Sequence, residues 1–364
     1  MSDEKNKKKK IIISGGGTMG SVTPLLVLAE SLKDRYDFVF VGSYRGIERQ
    51  VVAKIPYLEF RPLLNGKFRR YFSLANFFDL FKIAGAYFQS WLLLAKIKPS
   101  LIISAGAYIS VPLVWAARGR RIPVLIHQQD IRPGLANRLM AKGAALITTV
   151  FAKSVADYGA KAIWVGNPIK EISQDKAEAI VAAFRIDPAR PLILALGGGT
   201  GAFSLNRLVI SSRSELAALG QIIHITGQNK QIGQSLQDNY QAYDFLEHEK
   251  ILALMKRADL VISRAGLGVI SELAALAKPA ILIPMPESHQ DDNAVYLAQQ
   301  AAALVLSGPG LDSERLIETV RTILGDETLR RNLADNIRRV MPKDANEHLK
   351  LAIIGLVEKK SSSV

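Results

Sequence analysis

Residues 260–284 read LVISRAGLGVISELAALAKPAILIP, and this stretch decides the fold. Its first three residues are an apolar run short enough for a buried strand, and a second such run follows Pro279. Gly266 and Gly268 predict a tight turn after the first strand. The helix that follows must end before Pro279, because proline cannot continue a helix. Its expected apolar face consists of Ile270, Leu273, Ala274 and Ala277. Strand, loop, helix and strand in this order predict an α/β protein with a parallel sheet.

The turn inside this stretch is a candidate phosphate site. A helix N-terminus offers unpaired N–H groups and partial positive charge, and glycines let a ligand approach the backbone closely. Glu272 is expected in the first turn of the helix. There its carboxylate would either accept two hydrogen bonds from a ribose diol or complement the helix dipole. The spacing alone leaves both interpretations open.

A glycine-rich turn follows an apolar run at two further places. Residues 14–20 read SGGGTMG, with a helix expected to begin at Pro24, and residues 192–201 read LILALGGGTG. Both copies run strand, GGGT, helix. This repetition predicts an internal duplication of a Rossmann-like half, and therefore two similar domains.

The first glycine turn does not predict a cofactor. A dinucleotide site places an acidic residue at the end of the second strand to bind the ribose, but strand 38–41 is followed by Gly42 and Ser43. A Gly-Lys-Ser or Gly-Lys-Thr sequence, typical of P-loops, is also missing. We therefore expect no cofactor.

Composition narrows the class of partner. The chain has 364 residues, no cysteine, and a net charge of 47 − 33 = +14. Disulfides and thiolate zinc sites are excluded, and the positive charge favours anionic partners. No nucleic-acid motif occurs, so lipid and phosphate are favoured over nucleic acid. No run of eighteen uninterrupted apolar residues exists, and we expect no transmembrane helix.

Residues 66–98 combine basic and aromatic side chains. One interpretation is a core helix packed on a sheet, and the other is a partly exposed patch that binds an anionic membrane surface. The adjacent arginines and aromatics favour the second. The predicted patch comprises Arg69, Arg70, Phe72, Phe77, Phe81 and Trp91.

Polar residues follow the expected strand at 123–126. Ligands bind at the carboxyl ends of parallel strands, so these residues are candidate site residues. His127 is either structural or functional, and Asp130 either caps a turn or faces a substrate. Lys170, after the Gly-Asn-Pro sequence at 166–168, is either a diphosphate ligand or a solvated lysine. Asp291 and Asp292 are assigned to a helix start rather than to a metal site.

Taken in order, the motifs resemble the MurG family of N-acetylglucosaminyltransferases. They are GGGT at 15–18, GKFRRYFS at 66–73, SAGAYISVP at 104–112, IHQQD at 126–130, PGLANR at 133–138, GNP at 166–168, GGGTGA at 197–202, SRAG at 263–266 and SELA at 271–274. The resemblance covers residues 11–310. It implies a GT-B fold, in which two Rossmann-like doubly wound parallel-sheet domains face across a cleft.

The implied domains are an acceptor- and membrane-facing domain at 1–165 and a UDP-sugar-binding domain at 166–342. Residues 343–364 would form a helix that returns to the first domain. The implied reaction is inverting transfer of N-acetylglucosamine from UDP-GlcNAc to a polyprenyl-diphosphate-linked muramyl-pentapeptide in peptidoglycan synthesis. The implied location is peripheral, on the cytoplasmic face of the plasma membrane. Glycine loops and helix N-termini are able to stabilise departing UDP without a metal ion, so we expect no metal site.

The resemblance also carries substrate contacts over to this chain. They are Thr18, Met19, Gly20, Asp130, Lys170, Gly199, Leu246, Leu267, Gly268, Val269, Ile270, Ser271, Glu272 and Gln290. Five positions in four motifs depart from the family pattern. Ser21 replaces a histidine, His127-Gln128-Gln129-Asp130 replaces His-Glu-Gln-Asn, Lys170 replaces an arginine, and Gly199 replaces a serine.

These departures leave the catalytic base open. Ser21 stands at the histidine position, but a serine is no general base at neutral pH without help. Asp130 is the preferred replacement and His127 the next. Two alternatives follow: an enzyme that glycosylates another lipid acceptor, and a catalytically impaired relative that binds the donor.

Overall fold

The computed structural model describes residues 8–17, 19–64, 74–197, 202–227, 236–237 and 239–359, with only the backbone of 74–80, 236–237 and 359. The chain divides into two compact units. Unit 1 comprises residues 1–169 and 344–364, and unit 2 comprises residues 170–343.

Each unit contains one seven-stranded sheet among the described residues. The strands of unit 1 are β1 Lys9–Ser14, β2 Tyr36–Ser43, β3 Glu59–Leu63, β4 Leu101–Ser104, β5 Val124–Gln128, β6 Leu146–Thr149 and β7 Ala162–Trp164. Those of unit 2 are β8 Leu192–Leu196, β9 Gln221–Ile225, β10 Leu236–Gln237, β11 Tyr240–Tyr243, β12 Leu260–Ser263, β13 Ala280–Leu282 and β14 Leu304–Val305.

Helices connect these strands. In chain order they are α1 Met19–Leu32, α2 Ile47–Val52, α3 Leu74–Ile97, α4 Ser110–Gly119, α5 Leu135–Ala141, α6 Gln174–Val181, α7 Phe203–Ser211, α8 Arg213–Leu219, α9 His248–Arg257, α10 Leu267–Leu276, α11 His289–Gln299, α12 Ser313–Gly325, α13 Glu327–Arg339 and α14 Ala345–Lys359. Two short 3-10 helices span Ala152–Asp157 and Gly159–Lys161.

The two sheets share the order of six strands, β3-β2-β1-β4-β5-β6 in unit 1 and β11-β9-β8-β12-β13-β14 in unit 2. Unit 1 adds β7 beside β6, and unit 2 adds β10 beside β11. Among the described strands, only the β10–β11 pair is antiparallel. In both, the first strand lies beside the second on one side, and the chain then crosses to the other side. The predicted duplication of a Rossmann-like half is therefore confirmed. Ligands bind such sheets at the carboxyl ends of the strands, near this crossing point.

Helices cover both faces of the unit 1 sheet. Ile12, Val39 and Ile102 belong to one buried cluster, whereas their chain neighbours Ile11 and Ile13 belong to another. Side chains alternate between the faces of a strand, so two separate clusters require packing on both sides. The predicted doubly wound architecture is confirmed.

Helix α14 packs on unit 1. Leu349, Ile353 and Val357, spaced four residues apart, are buried in the same cluster as Ile11 and Ile13. Two hydrogen bonds also join the side chain of Asn346 to the backbone of Ile169. The Ile169 N–H donates to Asn346 Oδ1 and the Asn346 amide donates to the Ile169 carbonyl, both at 3.1 Å.

Two helix boundaries differ from the sequence-based expectation. Helix α1 begins at Met19 rather than at Pro24, which lies inside it. Helix α10 ends at Leu276, and Ala277, expected on its apolar face, instead adopts the left-handed conformation at φ 50°. Lys278 N–H then donates to the Leu273 carbonyl at 3.0 Å. Left-handed closure ends the helix before Pro279 is reached.

Candidate active site

The first glycine turn joins β1 to α1 in unit 1. Gly17 has φ +86°, which favours glycine, and a Cβ atom on Gly16 would lie 2.8 Å from Glu48 Oε1. Met19, Gly20 and Ser21 belong to the first turn of α1 rather than to the loop. Thr18, also predicted as a substrate contact, lies outside the described residues.

Ser21 closes this loop. Its Oγ accepts a hydrogen bond from Gly16 N–H at 3.2 Å and donates to the Gly16 carbonyl at 3.0 Å. The side chain is buried. Ser21 therefore fixes the backbone of the glycine turn, a role that differs from proton abstraction.

Glu48 is a buried carboxylate that the sequence analysis missed. Its Oε1 accepts hydrogen bonds from Ser43 N–H at 2.8 Å and from Ser43 Oγ at 2.6 Å, so it lies at the end of β2. Gly42 and Ser43 follow this strand in the sequence, as expected, and the fold returns the carboxylate of Glu48, from α2, to Ser43. Because Glu48 is 0% exposed, its position supports the glycine turn rather than a ribose contact.

His127 ends up in the interior of unit 1. Its Nδ1 lies 3.0 Å from Thr148 Oγ1, and its Nε2 lies 3.1 Å from Asn167 Oδ1. Burial lowers the pKa of His127 to about 4, so the ring is neutral at pH 7. Both ring nitrogens of His127 have hydrogen-bond partners inside the protein, which favours a structural role for this residue over a catalytic one.

The loop after β5 is tied to α1. Gln128 donates from Nε2 to the Asp130 carbonyl at 2.6 Å, and its Oε1 accepts from Tyr158 Oη at 2.8 Å. Gln129 Nε2 donates to the carbonyl of Gly20 at 3.0 Å. The structure thus brings the Asp130 loop and the first turn of α1 together.

In unit 2, α10 begins directly behind the turn at Gly266, its N-cap. The N–H groups of its first turn, at Leu267, Gly268 and Val269, lie at the carboxyl end of β12. Ser271 Oγ donates to the Leu267 carbonyl at 2.7 Å. This is the expected arrangement for a phosphate site.

Glu272 lies in the second turn of α10, not in the first as predicted, because the helix begins at Leu267. The helix dipole acts mainly within the first turn, so the dipole interpretation loses its basis. Instead, Glu272 Oε1 lies 2.7 Å from His248 Nε2, at the start of α9. The carboxylate is held at the rim of the candidate site.

Arg264 is a further residue that sequence reasoning did not single out. Its Nη1 donates to the carbonyls of Ile283 and Pro284, both at 2.9 Å, and its Nη2 donates to Ser204 Oγ near the start of α7. Burial lowers the pKa of Arg264. The guanidinium therefore joins the loops after β12 and β13 to the start of α7, at the carboxyl end of the sheet. The predicted contact Gly199 lies outside the described residues.

Lys170 forms an ion pair with Glu249. Its Nζ lies 2.7 Å from Glu249 Oε1, and Lys176 Nζ lies 2.8 Å from Glu249 Oε2. Hydrogen bonds, first from Lys170 and then from Lys176, lower the pKa of Glu249 to about 2. Exposed ion pairs of this kind are weak, so this pairing is compatible with both interpretations of Lys170.

Residues 285–293 complete this side of unit 2. Gln290 Oε1 accepts from Met285 N–H at 3.1 Å. Asp291 forms a capping box with Ser288, so the assignment of the two aspartates to a helix start is confirmed. Asn293, which the predicted contacts did not include, is fully buried and donates from Nδ2 to the Ala265 carbonyl at 3.3 Å.

Leu246 lies between β11 and α9. Its side chain is buried, whereas that of Phe245 is 60% exposed.

Among the described residues, no three His, Cys, Asp or Glu side chains lie close enough to share a metal ion.

The predicted membrane patch differs in part from the exposed surface of α3. Phe81 is 63% exposed and Phe88 and Leu92, which share its face, are 70% and 68% exposed. Trp91 does not belong to this surface, because it packs against the core beneath the guanidinium of Arg120, 4.3 Å from the ring centroid. Arg69, Arg70, Phe72 and the side chain of Phe77 lie outside the described residues. Throughout the part of the chain that the structure describes, no helix is long and apolar enough to cross a membrane.

Comparison with known proteins identifies the class of protein that has this fold. The family models for the N-terminal and C-terminal domains of glycosyltransferase family 28 match residues 11–149 and 192–349. The crystal structure of Acinetobacter baumannii MurG superposes with a TM-score of 0.74, at 22% identity, over 96% of this chain and 99% of that one. Fold and matched domains thus define a hexosyltransferase of the GT-B type.

Curated relatives narrow the class further. A Clostridium botulinum (strain Hall) protein is 38% identical over 321 residues, covering 85% of this chain and 89% of its own. A Lachnospira eligens protein is 37% identical over 331 residues, covering 87% and 92%. Both are named "UDP-N-acetylglucosamine--N-acetylmuramyl-(pentapeptide) pyrophosphoryl-undecaprenol N-acetylglucosamine transferase". The chain belongs to this MurG family.

Proposed function

We propose that this protein transfers N-acetylglucosamine from UDP-N-acetylglucosamine to N-acetylmuramyl-(pentapeptide) pyrophosphoryl-undecaprenol, a step of peptidoglycan synthesis. The observation that carries the proposal is the 38% identity, over 85% of the chain, to a relative named for this reaction. The site geometry supports it, because Arg264 and the N-terminus of α10 lie at the carboxyl end of β12, where sheets of this kind bind ligands, and Glu272 follows in the second turn of α10.

The proposed donor site divides the UDP-sugar among these groups. The diphosphate lies at the first-turn N–H groups of α10, and Lys170 adds a positive charge. The ribose hydroxyls donate to Glu272. Met19 and Gly20, in the first turn of α1, remain proposed substrate contacts, as do Leu246, through its backbone, and Gln290.

The chemistry needs one proton acceptor. A hydroxyl oxygen of the muramyl sugar attacks the anomeric carbon, the bond from that carbon to the UDP oxygen breaks, and UDP leaves with the electron pair. The hydroxyl proton passes to the carboxylate of Asp130. This assignment is supported by the loop hydrogen bonds of Gln128 and Gln129, which hold Asp130 beside the first turn of α1.

We further propose peripheral binding to an anionic membrane, on its cytoplasmic face, through unit 1. The exposed stripe of Phe81, Phe88 and Leu92 supports it. A pocket of about 690 Å³ beside α5 also supports it, because its lining is positively charged. Four basic residues and one acidic residue line it, which gives a net charge of 4 − 1 = +3. The charged residues are Arg132, Arg138, Lys142, Lys153 and Asp157.

The test is incubation of the full-length protein with labelled UDP-N-acetylglucosamine and a panel of acceptors. The panel contains a short-chain muramyl-pentapeptide diphosphate lipid, the same lipid without the diphosphate, and a diacylglycerol. Label transfer to the first alone is expected. Transfer to diacylglycerol would move the protein to another acceptor class.

One observation favours a second candidate, a donor-binding protein with impaired catalysis. Ser21 occupies the histidine position and uses its hydroxyl to close the glycine turn. That candidate predicts binding of UDP-N-acetylglucosamine by calorimetry together with no transfer to any acceptor.

A further inference from the structure

His248 and Glu272 form a close contact between two helices of unit 2. His248 is the first residue of α9, and its Nε2 lies 2.7 Å from Glu272 Oε1. The side chain of Glu272 is 12% exposed and that of His248 is 40% exposed. The imidazole therefore contacts the carboxylate from the solvent side.

The contact fixes the proton on the ring. An ionised carboxylate only accepts hydrogen bonds, so His248 Nε2 must donate, whether the ring is neutral or charged. The donor is directed at one oxygen and holds the carboxylate plane in one rotation. The neighbouring charges are already engaged, because Glu249 pairs with Lys170 and Lys176, and Glu247 lies 3.7 Å from Lys250.

A ribose diol presents two O–H donors at fixed separation. A carboxylate has about four lone-pair directions, so Oε1 has room for His248 and one hydroxyl while Oε2 accepts the other. Without His248, the carboxylate is able to rotate and would lose the arrangement that two adjacent hydroxyls require.

We propose that His248 is a positioning residue that makes the site selective for ribonucleotides. It acts through Glu272 and does not itself contact the substrate. The inference rests on the proposed ribose role of Glu272, and it adds a specificity that sequence motifs do not carry, since His248 lies outside all of them.

The test compares UDP with 2′-deoxyuridine 5′-diphosphate by calorimetric titration of the full-length protein. The parent is expected to bind UDP at least about tenfold more tightly, the equivalent of one good hydrogen bond. His248→Ala should weaken UDP binding about fivefold to tenfold and deoxy-UDP binding less than about twofold, so that the preference collapses. His348→Ala, an exposed histidine of unit 1, serves as the control and should leave both affinities unchanged.

A conservative variant separates positioning from general damage. The side-chain N–H of His248→Gln reaches about as far as Nε2 of histidine, so most of the preference should return. With UDP-N-acetylglucosamine as substrate, His248→Ala should raise KM and change kcat little.

Equal weakening of UDP and deoxy-UDP in His248→Ala would overturn the positioning role, as would an unchanged UDP affinity. A parent that binds UDP without preferring it would overturn the ribose role of Glu272 and the inference with it. A parent that binds no UDP at all would overturn the proposed function itself, so the two failures are distinguishable.

Discussion

The side-chain amide of Gln129 donates a 3.0 Å hydrogen bond to the carbonyl oxygen of Gly20. Gly20 lies four residues before Pro24 in α1, and proline has no N–H to donate to that carbonyl. Gln129 therefore supplies, from a loop 109 residues away, the donor that the helix lacks. The same bond sets where the neighbouring Asp130 lies relative to α1.

This bond predicts a separable pair of effects. Gln129→Ala should cost about 1 kcal/mol of stability, the value of one hydrogen bond, and should lower turnover at least about tenfold, because the Asp130 loop is no longer fixed to α1. Adding Pro24→Ala restores an N–H for the Gly20 carbonyl. Stability should then recover while turnover stays low, as measured by thermal unfolding and initial rates. Recovery of both would mean that the loop does not need this contact.

Glu272→Ala should weaken UDP binding by roughly 1.5–3 kcal/mol, the range for hydrogen bonds to a charged group. The melting temperature should change little, because His248, the hydrogen-bond partner of Glu272, is 40% exposed and is able to bond to water instead. Calorimetry with UDP measures the loss, and the exposed Glu247→Ala provides a control of equal charge change. Unchanged UDP affinity would remove Glu272 from the donor site.

Asp130→Asn keeps the side-chain shape and removes the proposed base. Turnover should fall about a hundredfold or more, the scale of general-base loss, while donor binding persists. Ser21→His in the same background should recover part of the rate, although it also removes the Ser21 bonds to Gly16. Single-turnover rates with UDP-N-acetylglucosamine and a short-chain lipid acceptor measure this. Parent-like turnover in Asp130→Asn would show that the proton goes elsewhere.

Lys142→Glu with Lys153→Glu should reduce sedimentation with anionic vesicles, and salt should reduce it for the parent. The control, Lys54→Glu with Arg321→Glu, makes the same charge change on exposed residues outside the pocket. Transfer to a soluble, short-chain acceptor should survive in both. Equal vesicle binding by the two double variants would separate the pocket from membrane binding.

Acid should destabilise unit 1 through His127. Burial lowers its folded-state pKa to about 4 from 6.5, so the unfolded chain binds the proton more readily. The contribution of His127 to stability is fully present above pH 6.5 and falls, by about 3 kcal/mol, as the pH drops toward 4. His127→Asn should flatten this part of the pH profile in thermal unfolding between pH 4 and 7. Burial in unit 2 lowers the pKa of His224 to about 4 as well, so His224 should destabilise unit 2 in acid in the same way.

Local patterns predicted the sheets well. The apolar runs at Ile11 and Leu260 become central strands, because buried parallel strands need apolar side chains on both faces. The start of α1 was missed because Pro24 is a favoured first helical residue, whereas Met19 and Gly20 give no start signal. The bonds of Ser21 to Gly16 and of Gln129 to Gly20 accompany the early start, and the second of these is long-range.

The candidate site was predictable in its motifs but not in its pairings. Glu272 was found from the turn before α10, while its partner His248 lies 24 residues away on another helix. Trp91 was assigned to the surface by helical spacing, yet Arg120 covers its ring from a separate helix end. Glu48 was missed because a bend after β2 returns its carboxylate to Ser43. Each of these contacts joins residues from different structural elements. The periodicity of apolar residues within one element does not predict such contacts.

Helix α14 gives the chain a definite order of assembly. Unit 1 is interrupted after Ile169 and resumes only at Asp344, so unit 2 is an insertion within it. During synthesis, unit 2 has all its residues before unit 1 does, since Leu349, Ile353 and Val357 follow unit 2 in the chain. Until then, Ile11 and Ile13 lack part of their cover, and the Ile169 backbone lacks the Asn346 amide. A ribosome-bound chain would therefore have unit 2 complete before the unit that carries Asp130 could close.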